Sequence, residues 1–162
     1  MWIVIRDLTL DKDIEMDLPT ELYLNPEHEY IIVDHDNTLE PNEYTNIKEL
    51  NDFLLECKKN DISDETLKIL SASYLFEEVI YKIKKEDFTI VDFDFVTAMW
   101  FSPNINSDRE KGLVLFEEGY MQLPFEFTRE MEDWIRWENL WDQAESEGWR
   151  VVKLNGYNYL VR

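Results

Sequence analysis

The C-terminal segment constrains the fold more than any other. Trp149 to Leu154 and Tyr157 to Val161 are strand-forming runs separated by Asn155-Gly156. That dipeptide suits a two-residue type I′ hairpin, in which both central residues take positive φ. The chain therefore ends in two antiparallel strands. A doubly wound parallel sheet needs repeated strand–helix crossovers with tight glycine turns, and the chain has 4 Gly in 162 residues. The predicted class is α+β.

The remaining pattern fits that class. Trp2 to Ile5 and Tyr30 to Val33 read as strands of one small sheet, and the acid-rich run Asp7 to Asp17 between them as a solvated loop or frayed helix. Ile47, Leu50, Leu54 and Cys57 recur at helical spacing, with Thr45 or Asn46 able to cap. Ser63-Asp64-Glu65 opens a second helix, and Leu75 to Ile83 supplies a third. Phe88 to Asp92 reads as a strand, Phe93 to Ser102 as helix or strand, and Pro103 to Lys111 as a polar loop. Leu113 to Glu118 ends a helix at Gly119. Phe127 to Trp137 reads as a helix lined by Phe127, Met131, Trp134 and Ile135, and Leu140 to Glu147 as a shorter helix stopped by Gly148. The expected parts are a small sheet domain (1–45), a helical middle (46–87) and an α+β part ending in the hairpin (88–162).

Charge bounds function. The chain carries 36 Asp and Glu against 16 Lys and Arg, a net of −20. It divides as −10, −3 and −7 over the three parts, so the charge is not a tail. Those segments also hold the aromatic residues, 14% of the chain, that disordered acidic tails lack. Self-repulsion of this size destabilises a compact state. A merely soluble acidic protein, or one from a high-salt cell, would also show it, although the Lys and aromatic content fits the latter poorly. Anionic lipid and nucleic acid would repel such a surface, so its natural partners are basic surfaces. The single Cys57 excludes an internal disulfide and a cysteine zinc site. The N-terminal residues lack the basic-then-apolar pattern of a signal peptide, so none is expected, and no run reaches transmembrane length. The expectation is a cytoplasmic protein with no membrane and no direct nucleic-acid contact.

Two motifs compete around residue 34. Tyr30-Ile31-Ile32-Val33 runs into Asp34-His35-Asp36-Asn37-Thr38. This Asp-x-Asp-x-Thr resembles the opening motif of the haloacid-dehalogenase-like phosphatases. By that resemblance Asp34 would be the nucleophile and Asp36 the acid/base, with magnesium between substrate and carboxylates. Ser71, one of Lys82, Lys84 and Lys85, and Asp92 with Asp94 would complete the set. Against it, Asn37 stands where the family has Gly, Ser71 lies within a helical pattern, and the chain ends in a hairpin. His28 and His35 read as exposed. No Ser/His/Asp set, phosphate-binding Gly loop or nucleotide fingerprint appears. The expectation is no enzyme, no cofactor and no metal.

The second motif is Glu43-Tyr44-Thr45-Asn46-Ile47-Lys48-Glu49-Leu50-Asn51. It resembles the corresponding stretch of the ArdA antirestriction proteins, as does Glu29 to Asp36 before it. Phe76-Glu77-Glu78-Val79 into Phe88 to Val91 is similar in layout, and Phe116-Glu117-Glu118-Gly119, Pro124 and Trp134 to Glu138 match a further stretch. By that resemblance the chain is expected to begin after the family's first strand and to carry extra length at residues 93–111. The resemblance implies an elongated three-part α+β molecule that pairs into a curved homodimer and occupies the DNA-binding groove of a type I restriction–modification enzyme in the host bacterial cell. A related target is another basic-grooved defence enzyme such as a CRISPR effector. B-DNA presents about one charge per 1.7 Å, so twenty charges match about 34 Å of duplex. The implied display carboxylates are Asp34, Asp36, Glu40, Glu43, Glu117, Glu118, Glu126, Glu130, Glu132, Asp133, Glu138, Asp142 and Glu145. Phe125, Phe127, Met131, Trp134 and Trp137 are implied in dimer or core packing.

Overall fold

The computed structural model describes residues 1–94 and 107–162. Its two compact units are Met1–Asp87 and Phe88–Arg162.

In the first unit, β1 (Trp2–Asp7), β2 (Lys12–Asp17) and β3 (Tyr30–His35) form an antiparallel sheet of order β2-β1-β3. The run Asp7 to Asp17 is thus a hairpin arm, not a loop or helix. Asp7 closes its turn by accepting the Thr9 and Leu10 N–H groups at 2.9 and 3.1 Å. Ile14 and Met16 alternate with Asp13, Glu15 and Asp17, the former half-buried and the acids exposed. Ile3 and Ile5 of β1 and Ile32 of β3 are buried.

Three helices complete this unit: α1 (Ile47–Lys59), α2 (Asp64–Ser71) and α3 (Phe76–Lys85). Asn46, rather than Thr45, caps α1, accepting the Lys48 and Glu49 N–H groups. Ser63 caps α2 through the Thr66 N–H. Ile47, Leu50, Phe53, Leu54 and Cys57 bury one face of α1. Asn51 is buried with them; it accepts the Thr20 N–H (2.9 Å) and donates to the Thr20 carbonyl (3.1 Å), tying α1 to the irregular segment after β2. Burial pushes the Cys57 thiol up to about 11, with the charge of Glu56 adding to it, so no thiolate forms near neutrality.

The second unit has a sheet of order β4-β6-β5, from β4 (Ile90–Asp92), β5 (Arg150–Leu154) and β6 (Tyr157–Val161). The expected hairpin is present, with φ of 53° at Asn155 and 89° at Gly156. Against the sheet lie α4 (Asp108–Glu117) and α5 (Trp137–Ser146). The core holds Val91, Phe93, Leu113, Leu115, Trp137, Trp141, Trp149 and Leu160. The predicted loop Pro103 to Lys111 gives way to helix at Asp108. Ser107 and Glu110 form a capping box, the Glu110 carboxylate accepting the Ser107 N–H at 3.1 Å. Residues 95–106, which include most of the run predicted as helix or strand, lie outside the described residues.

The helix predicted over Phe127 to Trp137 is not continuous. A 3-10 helix spans Arg129–Trp134, Ile135 is extended, and α5 begins at Trp137, three residues before the expected Leu140. Phe127, Ile135 and Trp137 all pack on the core. The Trp137 indole N–H donates to the Glu132 carbonyl at 3.1 Å, capturing an acceptor near the end of the 3-10 turn.

Candidate functional site

The expected display carboxylates divide between the units. Asp34, Asp36, Glu40 and Glu43 lie on or after β3. The others lie at the end of α4, in the 3-10 segment and on α5, except Glu126, which lies in the irregular stretch before the 3-10 segment. All are exposed except Asp36 and Glu132, which are partly buried. Ion pairs among the described residues include Arg6–Asp13, His28–Asp7 and Lys111–Asp108, and none there involves these carboxylates. Glu43 does engage a neighbour, holding the Tyr44 hydroxyl's pKa up through a hydrogen bond.

Asp36 serves its own chain. Its carboxylate accepts the Trp2 N–H at 2.7 Å and the Thr38 N–H at 2.9 Å. Burial favours its neutral form, but these bonds and the nearby N-terminal charge outweigh that and hold the carboxyl below its usual range. Such a group stabilises the fold above its unfolded value of about 3.9, and the contribution is lost as pH falls through its lower folded value. Asp36→Asn should therefore cost about 1–2 kcal/mol at pH 7, and the gap from wild type should narrow as pH drops below about 4. Denaturant titrations at several pH values read this, because the global loss of charge is common to both proteins. An equal penalty at every pH would show that the charge of Asp36 is irrelevant.

The histidines are not the exposed pair expected. His28 is partly buried, its Nδ1 2.7 Å from Asp7 Oδ2, and His35 Nδ1 lies 2.7 Å from the Asp36 carbonyl. The sheet's own turns supply the acceptors. Asp34 is exposed on β3 and accepts the His35 N–H at 2.9 Å. A phosphatase of the type the motif resembles places its acids at the end of a parallel sheet; here the strand carrying them is antiparallel to its neighbour.

The block Glu43 to Asn51 is largely structural. Ile47, Leu50 and Asn51 are buried, Asn46 caps, and the Glu43 carbonyl accepts the Ile32 N–H at 2.9 Å. Glu43, Tyr44, Lys48 and Glu49 face solvent.

Of the residues expected in packing, Phe127 and Trp137 belong to the core. Phe127 lies edge-on to Phe116 (5.0 Å) and to Trp137 (5.9 Å). Phe125, Met131 and Trp134 do not: they are 51%, 41% and 87% exposed. A 3-10 helix has three residues per turn, so i and i+3 eclipse. Arg129–Trp134 therefore presents three stripes. Met131 and Trp134 form an apolar one, Glu130 and Asp133 an acidic one, and Arg129 with partly buried Glu132 the third. Reading the segment as α-helix hid this; the signal was the three-residue spacing of each pair.

No helix among the described residues is long and apolar enough to cross a membrane. No family model matches the chain, and no curated protein matches it.

Proposed function

We propose that the chain is an acidic DNA mimic, an antirestriction protein of the ArdA type, that occupies the DNA-binding groove of a type I restriction–modification enzyme in the cytoplasm of a host bacterium. The observation that carries the reading is the set of exposed carboxylates that make no ion pair among the described residues, on and after β3 in the first unit and on or beside the core-packed helices of the second. Their backbone positions are fixed by packing, so they offer a basic groove a preorganised array of charge. Pairing into a homodimer through the C-terminal unit belongs to the same proposal and comes from the resemblance. The antiparallel sheet and the bonds already made by Asp36 weigh against the phosphatase reading.

A charge array spreads its binding energy. Exposed pairs are worth about 0.2–1 kcal/mol each. Glu130→Gln or Asp142→Asn alone should weaken inhibition at most a few-fold. Neutralising Glu126, Glu130, Glu132 and Asp133 together should weaken it from about fourfold to several-hundred-fold by the same arithmetic. Titration of each variant against purified enzyme decides the matter. One carboxylate that carries nearly the whole effect would point to a discrete site instead.

A further inference from the structure

Among the described residues Trp134 is the most exposed tryptophan, at 87%. Both ends of its 3-10 turn are pinned: Phe127 before it and Ile135 and Trp137 after it pack on the core, and the Trp137 indole bonds to the Glu132 carbonyl. The turn is therefore ordered, yet none of its residues is buried. Leaving an indole in water forfeits one of the largest apolar gains available to a side chain. The stripe beside it carries Glu130 and Asp133.

We infer that this turn is a receptor for arginine side chains of the target's basic groove, with the indole of Trp134 presenting a flat π face as a nucleobase would and Glu130 and Asp133 presenting charge as phosphates would. A guanidinium stacks on an aromatic face and pairs bidentately with a carboxylate. An ammonium does neither as well. Elsewhere in this unit cations already cover indoles: Lys111 lies 4.9 Å from the Trp141 ring and Arg162 5.5 Å from the Trp149 ring. Among the described residues no cation covers Trp134. A second copy of this chain is a poorer occupant. It would bring Glu130 and Asp133 toward their own equivalents, in a protein of net charge −20. Met131 and Trp134 alone also offer roughly 300 Å², well short of the ~800 Å² per partner of a stable interface. The inference rests on the mimic reading, and its test separates the two.

The probes are octa-arginine and octa-lysine peptides of equal charge, titrated by anisotropy against wild type, Trp134→Ala and Trp134→Leu. Trp134 is 87% exposed, so both variants retain the fold. Wild type should bind octa-arginine about two- to fivefold more tightly than octa-lysine, and both variants should lose that preference. An unchanged preference in either variant overturns the inference, because charge alone or apolar area alone would then suffice. A wild-type dimer that Trp134→Ala converts to monomer in sedimentation also overturns it, since the stripe would then be the contact between copies. If the arginine preference depends on Trp134 but DNA fails to displace the protein from its target, the receptor stands and the mimic reading falls. Salt-sensitive, DNA-displaceable inhibition with no effect of Trp134 gives the reverse.

Discussion

Gly112→Ala should destabilise the C-terminal unit by about 3 kcal/mol or more, the upper end of what overpacking costs. At an exposed helical position the same change gains about 1 kcal/mol, because glycine is the poorer helix former. Here the sign reverses. A Cβ on Gly112 would lie 2.0 Å from the Trp137 carbonyl oxygen, 2.9 Å from its carbon and 3.2 Å from the Trp141 nitrogen. These atoms are backbone, so no rotamer change relieves the clash; α4 and α5 must move apart. That separation would open the core around Trp137 and Trp141, both essentially fully buried. A loss of this size is a large fraction of a typical domain's 5–15 kcal/mol. Thermal unfolding followed by near-ultraviolet dichroism and tryptophan fluorescence reports it directly. Gly119→Ala is the control: it meets nothing within 4 Å and bears only the strain of φ +78°, about 1 kcal/mol. A Gly112→Ala protein as stable as wild type would mean that the two helices do not approach as described.

This close approach also shows where sequence pattern stops being informative. The hairpin was legible because Asn155-Gly156 has one dominant structural use, α1 and α2 because apolar spacing and caps agreed, and α3 from apolar spacing alone. Gly112 was not singled out, since a lone glycine in a helical stretch does not name its neighbour. β2 was missed because its acids outweighed the alternation of Ile14 and Met16, although that alternation is the strand signal. The 3-10 turn was missed for a tertiary reason. Phe127, Met131, Trp134 and Ile135 fit an α-helical face, but Phe127, Ile135 and Trp137 are recruited by the core while Met131 and Trp134 are left outside. Among the candidate carboxylates, the resemblance named residues that are mostly exposed. It did not separate Asp36, whose two backbone bonds serve the fold, from Asp34, which faces solvent. Such a distinction depends on which backbone N–H groups the fold brings to a carboxylate, and that of Trp2 comes from 34 residues away in the sequence, on the neighbouring strand.

The largest functional effect should appear in competition with duplex DNA. A protein that fills a DNA groove cannot share it, so inhibition must fall as DNA approaches saturation. Binding built on many charge pairs must also weaken steeply with salt, because the Debye length shrinks from about 30 Å at 0.01 M to about 10 Å at 0.1 M. Counterion release gives a further linear dependence of log affinity on log salt for the DNA that is displaced. Each condition is common for weak electrostatic binding, but both together, with the effect spread over many carboxylates, are what a mimic requires. The direct measurement is inhibition of a purified type I restriction–modification enzyme by this protein across a grid of duplex and salt concentrations. The expected result is inhibition that saturating duplex abolishes and that weakens at least tenfold between low and physiological salt. Inhibition indifferent to both duplex and salt would contradict mimicry and place any binding away from the DNA groove.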